Sequence, residues 1–84
     1  MPQKVDLKSL PYKQLAHAAK DELNVRRLSE GFDGVRKSEL VEYFQTRLDI
    51  WYGDAISIVD ELRQMGFIGV TNYWIDDDGV KFKI

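Results

Sequence analysis

The sequence predicts an α+β domain: three helices closed by a C-terminal β-hairpin. Two observations carry this. Apolar residues recur at helical spacing in three successive segments, near 10–24, 37–48 and from Ala55 to Met65. After Phe67 the period shortens to two, and Asp76-Asp77-Asp78-Gly79 interrupts the new pattern with a turn signal. Eighty-four residues are enough for one hydrophobic core and no second domain.

Residues 1–8 are polar and predict a loose N-terminal arm, with residues 9–84 forming the domain. Ser9 precedes Leu10-Pro11 and suits a helix start, with a capping hydroxyl and a proline in the first turn. Tyr12, Leu15, Ala16, Ala19 and Leu23 then share one face; Lys13, His17, Lys20 and Asp21 lie opposite. Arg26 to Gly34 reads as a loop, with Phe32 tucked into the core and Val35-Arg36 as a short strand. The second helix spans 37–48, buried along Leu40, Val41, Phe44 and Leu48.

Asp49 to Gly53 is a tight connection holding Trp51 and Tyr52, and Asp54 caps the third helix. Ala55, Ile58, Val59, Leu62 and Met65 form its buried stripe, and Gly66 suits a left-handed stop. A strand over Ile68–Ile75 and a second through Val80, Phe82 and Ile84 make the hairpin. A two-residue Asp78-Gly79 loop would set Ile75 opposite Phe82; a three-residue loop would set Trp74 there. The alternatives exchange which of Tyr73 and Trp74 faces the core.

Composition narrows the function. Hydrophobic content of 44% with 31% charged residues is that of a globular chain. The absence of cysteine excludes disulfides, thiolate metal sites and cysteine nucleophiles, and the single histidine, His17, excludes any site needing two imidazoles. Apolar runs are far too short to span a membrane, and the N-terminus has no apolar signal core. Pro2 stands where N-myristoylation needs glycine. A cytoplasmic protein is expected.

No catalytic constellation is visible. His17 falls on a polar helix face, and the hydroxyls of Ser9, Ser29, Ser38, Ser57, Thr46 and Thr71 have no base placed near them. No glycine-rich phosphate loop opens a helix. The run Asp76-Asp77-Asp78 lacks the alternating ligands and terminal glutamate of a calcium loop and reads as a turn. No enzyme, cofactor, metal or small-molecule substrate is expected.

The order helix, short strand, helix, helix, hairpin resembles the winged-helix (winged helix-turn-helix) fold over about residues 9–84. The segment Ala55-Ile56-Ser57-Ile58-Val59-Asp60-Glu61-Leu62-Arg63-Gln64-Met65-Gly66-Phe67-Ile68 looks like its third helix running into the wing. A weaker resemblance covers residues 6–48. Leu7-Lys8-Ser9-Leu10, Leu15, Ala19-Lys20 and Arg36-Lys37-Ser38-Glu39-Leu40-Val41 look like the two-helix SAP and Rho N-terminal modules, although the connection over 25–35 is longer than theirs. Both resemblances imply contact with nucleic acid. The first implies a third helix in the major groove and a wing on the neighbouring backbone.

Charge does not follow that docking. The net charge is −2, but residues 1–30 carry +2 and residues 49–80 carry −6. The third helix offers Asp54, Ser57, Asp60, Glu61, Arg63 and Gln64, and the wing tip offers three aspartates, a surface that phosphate would repel. A nucleic-acid surface is therefore expected on Lys8, Lys13, Lys20, Arg26, Arg27, Arg36 and Lys37, around the first helix and the start of the second, with Arg63 free to read base edges.

A partner surface of the opposite kind is expected at Trp51, Tyr52, Asp60, Tyr73, Trp74, Asp76, Asp77 and Asp78, where aromatic rings lie beside carboxylates. The leading expectation is a non-enzymatic regulatory protein associated with DNA through the basic surface. The alternative is an adaptor or inhibitor that uses the acidic, aromatic face, as a nucleic-acid mimic would. The sequence does not separate DNA from a protein as the partner, and it leaves a homodimer open.

Overall fold

The computed structural model describes residues 4–23, 25–27, 33–72 and 74–84. Its elements are α1 (Tyr12–Glu22), β1 (Arg26–Arg27), β2 (Asp33–Arg36), α2 (Lys37–Leu48), α3 (Tyr52–Gln64), β3 (Ile68–Thr71) and β4 (Gly79–Phe82). The strands form one antiparallel sheet in the order β1-β2-β4-β3. The chain is thus an α+β fold of three helices and an antiparallel sheet ending in a hairpin, a layout compatible with a winged helix.

The helical stripes meet over a single core. Tyr12, Ala16 and Ala19 come from α1, Leu40, Val41 and Phe44 from α2, and Ala55, Ile58, Val59 and Leu62 from α3. Val35, Ile68 and Val80 close it from the sheet, and Ile50 from the α2–α3 corner. The two small alanines of α1 let that helix approach closely, while Phe44 fills the centre with no exposed surface. Residues before α1 join the core as well: Val5 and Leu7 pack against it, and the Tyr12 hydroxyl donates to the Leu7 carbonyl.

Several helix ends differ from expectation. α1 begins at Tyr12, and Ser9 does not cap it. Its hydroxyl donates to Asp6 Oδ2 at 2.8 Å, inside a local turn that Asp6 also closes by accepting from the Lys8 N–H. α3 begins at Tyr52, two residues before Asp54, so that aspartate sits in the first turn, near the positive end of the helix, and is not the cap. Met65 falls just past the last helical residue and is 46% exposed, outside the buried stripe. Gly66 adopts φ +83°, and the Phe67 N–H returns to the Leu62 carbonyl at 3.0 Å, the left-handed stop that the sequence predicts.

The hairpin departs most. Neither tight register forms. Ile68 faces Phe82, Val70 faces Val80 and Thr71 faces Gly79, so pairing stops at Thr71 and Gly79, well short of a tight turn. β3 ends at Thr71, so Trp74 and Ile75 are loop residues. Phe32 and Tyr73, assigned to core and strand above, lie outside the described residues.

Candidate functional site

The connection between β3 and β4, in the position a wing would take and called the wing below, is held on the start of α2, and three consecutive aspartates hold it in three ways. Asp76 accepts from Arg36 Nη1 at 3.1 Å. Asp77 Oδ2 accepts from the Ser38 N–H at 3.3 Å and its hydroxyl at 2.6 Å. The Asp78 carbonyl accepts from the Lys37 N–H at 2.8 Å. The first N–H groups of a helix have no partner within it. Here Arg36 occupies the capping position without a side-chain bond to the helix N–H groups, and the loop supplies the acceptors from a distant part of the sequence.

Arg36 itself is clamped. Its guanidinium carbon lies 4.6 Å from the centroid of the Trp74 ring, while the same group binds Asp76. The hydrogen bond from Arg36, with its charge, holds the Asp76 carboxyl below its ordinary value.

The α2–α3 corner is built differently. Asp49 adopts the left-handed region, φ 52°, ψ 58°, at the C-terminus of α2. Aspartate tolerates that conformation better than most residues. The reversal sends Ile50 inward, where it is 1% exposed and donates its N–H to the Gln45 carbonyl. Trp51 and Tyr52 are then turned outward, 56% and 61% exposed. The Trp51 carbonyl accepts the Ala55 N–H at 3.0 Å, so the pair stands on a fixed helix start.

Beside this corner, α2 and the Tyr52 ring enclose an open cleft of about 580 Å³. Val41 and Ile50 form its apolar floor, and Glu42, Gln45, Asp49 and Tyr52 rise around it. Neither Glu42, Gln45 nor Asp49 was singled out from sequence. The three-residue spacing of Glu42 and Gln45 on one helix was the available signal, with Asp49 just beyond its end.

The basic residues are dispersed. Lys8 and Lys13 are exposed, on the turn before α1 and on α1 itself. Lys20 is half-buried and donates to the Ile84 carbonyl. Arg26 and Arg27 lie on the edge strand β1, Arg36 and Lys37 meet the wing loop, and Arg63 is exposed in the last turn of α3. The acidic, aromatic set also divides. Trp74, Asp76, Asp77 and Asp78 are engaged at the start of α2, Asp60 is partly exposed on α3, and Trp51 and Tyr52 form the free corner.

Between α1 and α2, the Tyr43 hydroxyl donates to Glu22, which also pairs with Arg47 Nε at 3.4 Å. Partial burial, then the Glu22 contact, raises the Tyr43 phenol above its usual range. Among the described residues, no three histidine, aspartate or glutamate side chains converge to hold a metal ion, and no helix is long and apolar enough to cross a membrane. No known protein family, curated protein or solved structure matches the chain.

Proposed function

We propose that this chain is a small winged-helix protein-interaction module that docks a partner on the aromatic corner between α2 and α3. The observation that carries this is the pair Trp51–Tyr52, two large rings left mostly exposed on a rigid turn. Interface centres are enriched in such residues, and a backbone already held in a helix start loses little freedom on binding. The winged-helix assignment draws on the element order and on the sheet order, in which the last strand lies between β2 and β3. The outward positions of α3, with Asp54, Asp60 and Glu61 against Arg63, disfavour the groove docking usual for DNA-binding members of that fold.

The test is retention from a native extract, with and without nuclease, by the wild type and by a W51A/Y52A variant. Polypeptides retained after nuclease treatment and lost from the variant are expected. Retention that nuclease abolishes and the variant preserves would overturn the proposal.

A second reading, contact with duplex DNA through the α1 side, is favoured by Lys8 and Lys13, which stand exposed on neighbouring segments. It expects a salt-sensitive gel shift that K8E/K13E abolishes. An unchanged shift removes it.

A further inference from the structure

The cleft beside the aromatic corner has a definite chemistry. Its lining includes the apolar Val41 and Ile50, Glu42 and Gln45 one turn apart on α2, Asp49 just past the end of that helix, and Tyr52. Among the described residues, none that lines it is basic. The carboxylates of Glu42 and Asp49 have no hydrogen-bond or ion-pair partner among the described residues. The arginine of α2, Arg47, is directed to Glu22 instead.

The molecule already shows what such a combination holds. At the wing, Arg36 lies against the Trp74 ring with Asp76 on its guanidinium, at 4.6 Å and 3.1 Å. An aromatic face beside a carboxylate grips a planar cation by stacking and by charge-assisted hydrogen bonds. The cleft presents the same pair of elements, Tyr52 with Glu42 and Asp49, and among the described residues no arginine lines it.

We infer that the cleft between α2 and the α2–α3 corner receives an arginine side chain from an extended segment of another polypeptide. This rests on the interaction reading above and names its partner's chemistry. Two carboxylates exclude a phosphate or an acidic segment. Arginine fits better than lysine, because only guanidinium both stacks on a ring and forks to a carboxylate. Val41 and Ile50 accommodate the aliphatic stem.

The experiment is an NMR titration of the full chain with a blocked Gly-Arg-Gly-Arg-Gly-Arg peptide, and with the same peptide carrying lysine. Saturable amide shifts centred on Glu42, Gln45, Asp49 and Tyr52 are expected. The lysine peptide should bind about threefold or more weakly. E42Q/D49N should weaken the arginine peptide by about tenfold, and Y52A by about fivefold. Both variants are at exposed positions, and asparagine keeps the left-handed turn at residue 49.

Shifts centred on α3 or the wing, or affinity indifferent to E42Q/D49N, would overturn the inference. Sedimentation showing a dimer that the peptide dissolves would also overturn it, since a second copy would then fill the cleft. Failure here is separable from failure of the broader proposal. Extract capture lost in W51A/Y52A without peptide binding refutes the cleft alone, whereas peptide binding with nuclease-sensitive capture refutes the broader proposal alone.

Discussion

Asp77 caps α2 from 39 residues away, accepting both the backbone N–H and the hydroxyl of Ser38. A residue that reads as part of a turn therefore completes a helix, and the wing is fastened at the same point. Asp77→Ala should cost about 1 kcal/mol, the usual value of a helix cap. Amide exchange at Lys37 and Ser38 should accelerate with it. Asp78→Ala keeps its carbonyl bond to Lys37 and should change stability by less than about 0.5 kcal/mol. Chemical denaturation distinguishes the two; equal losses would show that Ser38 is not the determinant.

The Arg36–Asp76 pair sets a pH response. The carboxyl of Asp76 is held below its ordinary value, first by the hydrogen bond from Arg36. A depressed carboxylate contributes stability above its unfolded value, and that contribution fades as pH falls through the folded one. Loosening of the wing is thus expected only in acid, below the ordinary aspartate range, and should be small because the pair is exposed and screened. A carboxyl NMR titration of R36Q should show the Asp76 midpoint rising toward the normal value. An unmoved midpoint would remove Arg36 as the cause.

Core packing predicts a contrast along the end of α3. Leu62 has no exposed surface, whereas Met65, three residues on, is 46% exposed. Leu62→Ala should cost about 2–5 kcal/mol. Met65→Ala should stay within about 0.5 kcal/mol. Similar midpoints in urea for both variants would contradict the assigned burial.

Thr71 ends β3 with its hydroxyl oxygen buried and without a partner among the described residues. An unpaired buried hydroxyl is costly, and valine has nearly the same shape and suits a strand. Thr71→Val should raise stability by about 1 kcal/mol. A loss in thermal unfolding would mean that the hydroxyl is satisfied in solution.

Much of the architecture was legible in the chain, and the exceptions have physical causes. The second helix matches its apolar stripe from Lys37 to Leu48 because Leu40, Val41 and Phe44 repeat without interruption. The stop at Gly66 was legible because glycine after a helical stripe has a specific backbone meaning. The wing was misjudged because turn rules weigh only local chemistry, whereas this loop is shaped by bonds to Arg36, Lys37 and Ser38. Ser9 and Asp54 looked like caps, but each lies off the first residue of its helix by a distance that periodicity alone does not resolve.

The candidate site was legible in part. Trp51 and Tyr52 stood out as paired aromatics at a tight connection, and they are exposed. The cleft beside them was not, because it depends on Asp49 entering the left-handed region and burying Ile50. Arg36 and Lys37 were grouped with other cations, apart from the aspartates. The sheet brings the segments together: Arg36 pairs with Gly79, next to the acidic run.

The sheet order has a consequence for biosynthesis. β4 lies between β2 and β3, so neither neighbour has its main hydrogen-bonding partner until residues 79–82 have emerged from the ribosome. Until then the edges of β2 and β3 that β4 covers have no strand to pair with. Completion of the sheet and capping of α2 depend on the same stretch, residues 77–82, and become possible together once it is outside the exit tunnel.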